Sequence, residues 1–245
     1  MKGEITLSAR EVFLQLRKGL HPKISREEGV FVIEWSEQLK FCLALYEDTM
    51  KRTFDICISF LILAVFLPFG LLLTLAIALE SRGGVFYLQD RVGKNGKLFK
   101  LLKFRSMRPN ADKGSQITIG NRDPRITRTG YFIRRFKLDE FPQFVNVIIG
   151  DMSIVGPRPE VPFYVQMYTE EQRKILSVKP GITDYASLAY FHENEILATA
   201  ADPQKAYIEE IMPAKIAINQ RYLSHPGLIQ DLKIIGLTAK KILGF

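Results

Sequence analysis

Cysteine is scarce in this 245-residue chain: Cys42 and Cys57 are the only two, and both fall in apolar stretches that read as helical. A thiol in such a place acts as a small hydrophobe, so a disulfide scaffold is excluded. Histidine is nearly as rare. His21, His192 and His225 lie far apart and share no ligand spacing, which removes a protein-built zinc site. The nucleotide-binding and hydrolytic signatures are missing too. There is no GxxxxGK[ST], no GxGxxG after a strand and no GxSxG elbow; Ser153 sits between glycines at the wrong spacing. P-loop enzymes, kinases and serine hydrolases are poor readings. No internal repeat or low-complexity tract appears.

Apolar residues and positive charge are plentiful. Hydrophobic residues make up 47% of the chain and the formal net charge is +8. A pI near 9.4 fits either nucleic acid or an anionic membrane surface. The run from Phe54 to Leu79 decides in favour of the membrane. It is almost unbroken hydrocarbon, with Asp55 at its edge as the only charge. About 20 apolar residues suffice to cross a bilayer as a helix.

The flanking charges conflict with a straight crossing. Lys51 and Arg52 precede the run, and Arg82, Arg91, Lys94 and Lys97 follow it. Both ends therefore carry the cytoplasmic signature. Pro68, near the middle, breaks or kinks a helix because it removes a backbone donor and crowds the preceding turn. Each half is roughly 20 Å long at helical rise, short of the hydrocarbon thickness. A re-entrant helix–break–helix fits charge and proline together; a kinked single span is the alternative.

The organisation read from the chain has three parts. Residues 1–50 form an N-terminal helical extension, with capping boxes at Ser8/Glu11 and Ser25/Glu28. Residues 51–82 form the re-entrant membrane helix. Residues 83–245 form the remaining part, on the cytoplasmic face by its flanking charge. The fold class is α+β and mostly helical, with a small β-hairpin and amphipathic helices at the membrane surface. The hairpin is read from VFYLQ and KLFKLLKFRSM flanking Gly93-Lys94-Asn95-Gly96. Its basic second arm is either a lysine-guarded edge or a phosphate-facing surface. Phe141, Phe144, Val145 and Ile148 give a helix ending at Gly150 its apolar stripe. Thr169 with Gln172 is a further capping box. The tail from Leu228 to Leu243 suits a membrane surface or the core equally.

Asp139 and Glu140 are adjacent carboxylates that open a helix, which on spacing alone reads as an N-cap. Arg134, Arg135 and Lys137 precede them closely. Cations beside two carboxylates suit a diphosphate held together with Mg²⁺.

These motifs, in this order, resemble the monotopic polyprenyl-phosphate phosphoglycosyl transferases, also called bacterial sugar transferases. The resemblance runs from Lys51 to the C-terminus. It rests on Lys51-Arg52 with Asp55, on Pro68, on QDRVGKNGKLFKLLKFRSM, on DPRITRTGYFIRRFKLDEFPQFVNVIIGDMSIVGPRP and on KPGIT. It implies a re-entrant anchor in the bacterial inner membrane, with the soluble part, residues 83–245, as the catalytic domain on the cytoplasmic face. It implies transfer of a sugar-1-phosphate from a nucleotide diphospho-sugar, usually a UDP-sugar, to polyprenyl (undecaprenyl) phosphate. Asp139 then matches the nucleophile of a covalent phosphosugar intermediate, and Glu140 the magnesium-binding partner. Arg158 matches the nucleotide-associated Pro-Arg-Pro loop. Lys103, Arg105, Arg134 and Arg135 are the further candidate phosphate contacts. The implied cofactor is Mg²⁺, and the implied partners are donor, polyprenyl phosphate and membrane lipid rather than nucleic acid; a homodimer is compatible with the sequence. The match departs after PGIT. Asp184-Tyr185-Ala186-Ser187-Leu188 stands where relatives commonly carry glycine–tryptophan–alanine–glutamine. Two other classes compete with an enzyme: a non-catalytic membrane adaptor that kept the fold, and a membrane-tethered nucleic-acid binder.

Overall fold

A computed structural model describes residues 23–27, 30–34, 37–109, 111, 123–224 and 227–244, with side chains described from residue 48 onward. The chain divides into two compact units, Met1–Thr53 and Phe54–Phe245. In the first, β1 (Lys23–Glu27) pairs antiparallel with β2 (Val30–Glu34), Lys23 opposite Glu34. This corrects the expected second helix of the N-terminal extension. Val30, Phe31, Val32 and Ile33 are β-branched or aromatic, and that run outweighs the capping box at Ser25. The first expected helix, at Ser8, lies outside the described residues.

The long helix α1 covers Glu37–Glu80. Helical assignment passes through Pro68 without interruption, where the sequence reading placed a break. Proline deletes one donor from the ladder but need not end a helix when neighbouring groups accommodate it. Two residues on, Gly70 leaves room for the Phe66 ring, which a Cβ there would meet at 3.2 Å. α1 is the one described helix long and apolar enough to cross a membrane. Phe60, Leu61, Val65, Leu67, Leu71, Leu72, Leu75 and Leu79 are each more than half exposed. An exposed apolar surface this continuous marks a membrane-associated element.

The rest of α1 is held by protein at both ends. Asp55 and Ser59 are buried, and Asp55 accepts a hydrogen bond from the Ile154 amide at 3.2 Å. Phe54 and Ile58 pack against a core of Phe99, Leu101, Val147 and Ile234. Twenty residues further on, Leu73 and Ile77 are buried with Phe104 and Ile133.

Strands β3 (Phe86–Val92) and β4 (Leu98–Phe104) form the expected hairpin, Val92 opposite Leu98 at the turn. Asn95 and Gly96 adopt positive φ there, which Asn and Gly accept at least cost. α2 (Arg128–Arg135) follows, capped by Thr127, with Glu80 at the end of α1 accepting from the Arg128 and Thr129 amides at 2.6 and 2.8 Å. Next come a short helical turn at Leu138–Glu140 and α3 (Gln143–Ile149), closed by left-handed Gly150 as expected. The Thr169/Gln172 capping box is present.

The stripe read for α3 is only in part its buried side. Phe141, Phe144 and Ile148 are half-buried, with Phe144 packed against the core, while Val145 is exposed; the fully buried residues are Gln143, Asn146 and Val147. The spacing locates an apolar stripe but does not show that two polar residues beside it turn inward.

The Gly150–Pro159 loop contains a strand, β5 (Ser153–Val155), parallel to β6 (Gly181–Thr183). A Cβ on Gly181 would overlap the Gly156 backbone, and one on Gly156 would overlap the carbonyl of Lys179. The two glycines therefore let the GPRP and KPGIT motifs lie backbone to backbone. α4 (Tyr185–Ala189), α5 (Met212–Leu223) and α6 (Leu228–Ile242) complete this side. α6 buries Ile234 and Asp231, the latter accepting from the Tyr222 hydroxyl at 2.5 Å, while Ile229 and Leu232 stay exposed. The tail thus serves the core on one face and leaves an apolar face outside.

Candidate active site

The polar side of α3 is what ties the carboxylate pair to the basic hairpin. β4 has an open backbone edge, since the hairpin is a two-stranded sheet. Asn146 closes it: its amide donates to Lys100 O at 2.8 Å, and its Oδ1 accepts from Leu102 N at 2.9 Å. Asn146→Ala would leave a donor and an acceptor of β4 without these partners in a part-buried place. Each such group costs about 1–3 kcal/mol. The variant is expected to lose roughly 2–4 kcal/mol of stability, read as a lower melting temperature in detergent.

Lys103 projects from the same strand toward the turn that carries Asp139 and Glu140. Its ammonium is 4.0 Å from Glu140 Oε1, and the two side chains retain 17% and 15% of their exposure. Arg158 grips the other side of Glu140 with both terminal nitrogens: Nη1 donates to Oε2 at 3.0 Å, and Nη2 donates to Oε1. This bidentate fork fixes the carboxylate in position and plane. Burial alone would raise the Glu140 pKa, but the charges of Arg158 and Lys103 hold it well below the usual carboxylate range. Burial pushes Lys103 down to about 8, against the pull of Glu140.

Asp139 is the opposite case. It is buried, at 7% exposure, and accepts no hydrogen bond among the described residues. Burial raises its pKa, and the adjacent Glu140 charge raises it further; Lys103, Arg134 and Lys137 work against them. Two neighbouring carboxylates are thus pushed in opposite directions, which separates their roles. Lys137 reaches this position because its backbone is left-handed, φ 55°, reversing the chain between α2 and the turn.

These groups share one cavity of about 1340 Å³. Asp139, Glu140, Lys103 and Arg158 line one part, and Ile58 and Ile62 of α1 line another. An ionic site therefore opens onto the side of the apolar helix.

The sequence candidates fall into three groups. Lys103 and Arg158 meet Glu140 directly. Arg134 stands close enough to Asp139 to oppose its protonation, while Arg135 lines the same cavity and lies near the Phe136 ring, at 5.7 Å. Arg105 lines the same cavity, with its guanidinium engaged at the end of α1. Its guanidinium donates to Ser81 O at 2.7 Å, Ser81 Oγ at 2.8 Å and Arg82 O at 3.2 Å, closing the C-terminal end of α1. A Cβ on Gly83 would strike that guanidinium, so the glycine leaves it room.

Arg91 and Asp184 were not among the candidates. Arg91 donates to Pro159 O at 2.8 Å and pairs with Glu160 at 3.3 Å, bracing the Pro-Arg-Pro loop from behind. Its place in the QDRVGK motif was visible, but its partner lies 69 residues away in sequence.

Among the described residues no group of three or more His, Cys, Asp or Glu side chains is placed to hold a metal ion. The donor set still fits Mg²⁺, which takes one or two carboxylates and completes its shell with phosphate and water. Asp139 has its lone pairs free, and Glu140 is held rigid beside it.

Residues 46–244 match the description "Bacterial sugar transferase". The chain belongs to that family. Among its relatives is UDP-glucose:undecaprenyl-phosphate glucose-1-phosphate transferase of Escherichia coli, 33% identical over 230 residues, covering 91% of this chain and 46% of that protein. UDP-N-acetylgalactosamine-undecaprenyl-phosphate N-acetylgalactosaminephosphotransferase of Aeromonas hydrophila is 36% identical over 199 residues, covering 79% and 44%. Exopolysaccharide production protein PSS of Rhizobium leguminosarum bv. phaseoli is 36% identical over 195 residues, covering 76% and 91%. The chain thus spans less than half the length of the first two relatives and most of the third. Within this sugar transferase, DEFPQ, GPRP and KPGIT surround one site, with the carboxylate pair at its centre.

Proposed function

We propose that the protein transfers a sugar-1-phosphate from a nucleotide diphospho-sugar, a UDP-sugar, to polyprenyl (undecaprenyl) phosphate. One observation carries the reading: a buried, unpartnered Asp139 beside a clamped Glu140, in a cavity shared with the apolar helix.

In the first half-reaction an Asp139 oxygen attacks the sugar-bearing phosphorus. The bond from that phosphorus to the bridging oxygen breaks, and UMP leaves with the electron pair. The phosphosugar stays on Asp139 as an acyl phosphate. In the second, an oxygen of polyprenyl phosphate attacks the same phosphorus, and Asp139 leaves as carboxylate. Splitting one transfer into two lets a soluble donor and a membrane acceptor use the site in turn. Glu140, with Asp139, would hold Mg²⁺, which supplies neutralisation of phosphate charge. Lys103, Arg134 and Lys137 place further positive charge where the transferring group gains negative charge.

The proposed membrane geometry rests on α1. From Asp55 to Ile77 a straight helix is about 33 Å long, as thick as the hydrocarbon core. A crossing helix would send one of these residues to the far side, yet both are buried in the same catalytic unit. Re-entry from the cytoplasmic face, with α1 bent at Pro68 rather than straight, would satisfy this and the charges at both ends. It sets the cavity at headgroup depth, where polyprenyl phosphate presents its phosphate.

The purified protein in native lipid discs, given Mg²⁺, undecaprenyl phosphate and a panel of UDP-sugars, should release UMP with one donor. Silence on every donor would favour the adaptor reading.

The pH profile of donor kcat/KM is expected to be a bell. Its acid limb rises as Asp139 loses its proton, at a pH above the ordinary aspartate value. Its alkaline limb falls near pH 8 as Lys103 loses its charge. Lys103→Arg keeps its charge throughout, so the alkaline limb should move to higher pH. An alkaline limb unchanged in that variant would remove Lys103 from the phosphate site.

A further inference from the structure

We propose that Asp184, where this chain departs from the usual PGIT continuation, is the positioning residue for Arg158. In Pro157-Arg158-Pro159 the two prolines carry no N–H, so the Arg158 amide is the only backbone donor of the tripeptide. Asp184 takes it: Oδ2 accepts from Arg158 N at 2.6 Å, and Asn219 Nδ2 donates to the same oxygen at 3.2 Å. The other oxygen, Oδ1, accepts from Ser187 N and caps α4. Asp184 is 1% exposed, so these are charge-assisted bonds out of water, which are short and directional.

The hold is transmitted to the carboxylate pair. Arg158 Nη1 donates at once to Glu140 Oε2 and, at 3.3 Å, to Ile182 O on β6. Main chain and side chain of Arg158 are thus strapped to the corner between β6 and α4, and the fork on Glu140 is the free end of that strap. A glycine at residue 184 has no acceptor to offer, so a relative with glycine there must place its arginine by other contacts. Asp184 touches no reacting atom in this account; its effect runs through Arg158.

Asp184→Ser separates the two duties. A serine oxygen remains a good N-cap for α4 but supplies no second acceptor for Arg158. Amide hydrogen exchange reads the contact without reference to catalysis, because exchange within Pro157-Arg158-Pro159 reports the Arg158 amide alone. That amide is expected to be protected in the parent protein and to lose protection in the serine variant. The kinetic arm rests on the transferase reading. Donor kcat/KM should fall about 30-fold in Asp184→Ser, and combining it with Arg158→Ala should lower the rate no further than Arg158→Ala alone, since no side chain remains to be placed. If serine does not fold, the isosteric Asp184→Asn, which keeps one acceptor oxygen for three donors, goes through the same cycle. Unchanged Arg158 protection, or a double variant that shows the product of the single losses, would overturn the proposal. If the parent protein releases no nucleotide from any donor, the transferase reading is what fails, and the exchange measurement decides the role of Asp184.

Discussion

Asp139→Asn is expected to lower nucleotide release by on the order of 10⁴-fold or more, the scale seen when a catalytic nucleophile is removed from a group-transfer enzyme. Asparagine matches aspartate in shape, so it should fill the same buried position and leave the Arg158–Glu140 fork in place. What it loses is a carboxylate oxygen able to form the acyl phosphate. The same change should raise thermal stability. Burial and the Glu140 charge raise the Asp139 pKa above its unfolded value, so keeping it ionised at neutral pH costs folding free energy. Below that raised pKa the proton returns and the cost disappears, so the stability advantage of the asparagine should shrink as pH falls through it. A variant less active yet more stable identifies a residue held for chemistry rather than for folding.

Arg158→Ala should have the next largest effect, a loss of about 10²–10³-fold in donor kcat/KM, comparable to removing a donor that stabilises transition-state charge. Alanine leaves Glu140 largely buried, with Lys103 at 4.0 Å and the charge of Lys137 to oppose its protonation. The Glu140 pKa should then climb from its depressed position, so the variant loses the stability that an ionised, clamped Glu140 contributes at neutral pH, and its deficit against the parent should narrow as pH falls through the raised Glu140 pKa. At neutral pH the loss should stay below the roughly 3–5 kcal/mol of a fully buried broken pair, because the Arg158 side chain keeps 29% exposure. Arg158→Lys restores charge without the fork, so it should recover stability better than rate. Melting curves and donor kinetics, each taken across pH, check both statements.

How much of this was legible depended on the range over which each feature is decided. The hairpin at Asn95-Gly96 and the stop at Gly150 are local backbone requirements, and the sequence shows both. The carboxylate pair was visible as chemistry, and its basic neighbours Arg134 and Lys137 lie within five residues of it. The partners that set its charge were not visible from spacing: Lys103 and Arg158 arrive from β4 and from the loop after β5. Arg105 shows the converse. It sits two residues from Lys103 in the same basic arm, yet closes the end of α1, because charge alone does not say which oxygen a guanidinium will find. The inward polar side of α3 was hidden for a similar reason. Apolar periodicity names a stripe, not the polar residues beside it that turn inward. Asp184 was noticed only as a departure from a pattern; its task appears when β6 is laid beside β5.

The most direct test is the intact mass of the protein after mixing with Mg²⁺ and the active UDP-sugar, with polyprenyl phosphate withheld. A gain of one phosphosugar group, the mass of the sugar-1-phosphate less one water, is expected, mapped to Asp139, lost on adding polyprenyl phosphate and absent from Asp139→Asn. UMP release that requires the acceptor at every turnover, with no mass gain under rapid quench, would contradict a covalent intermediate on Asp139.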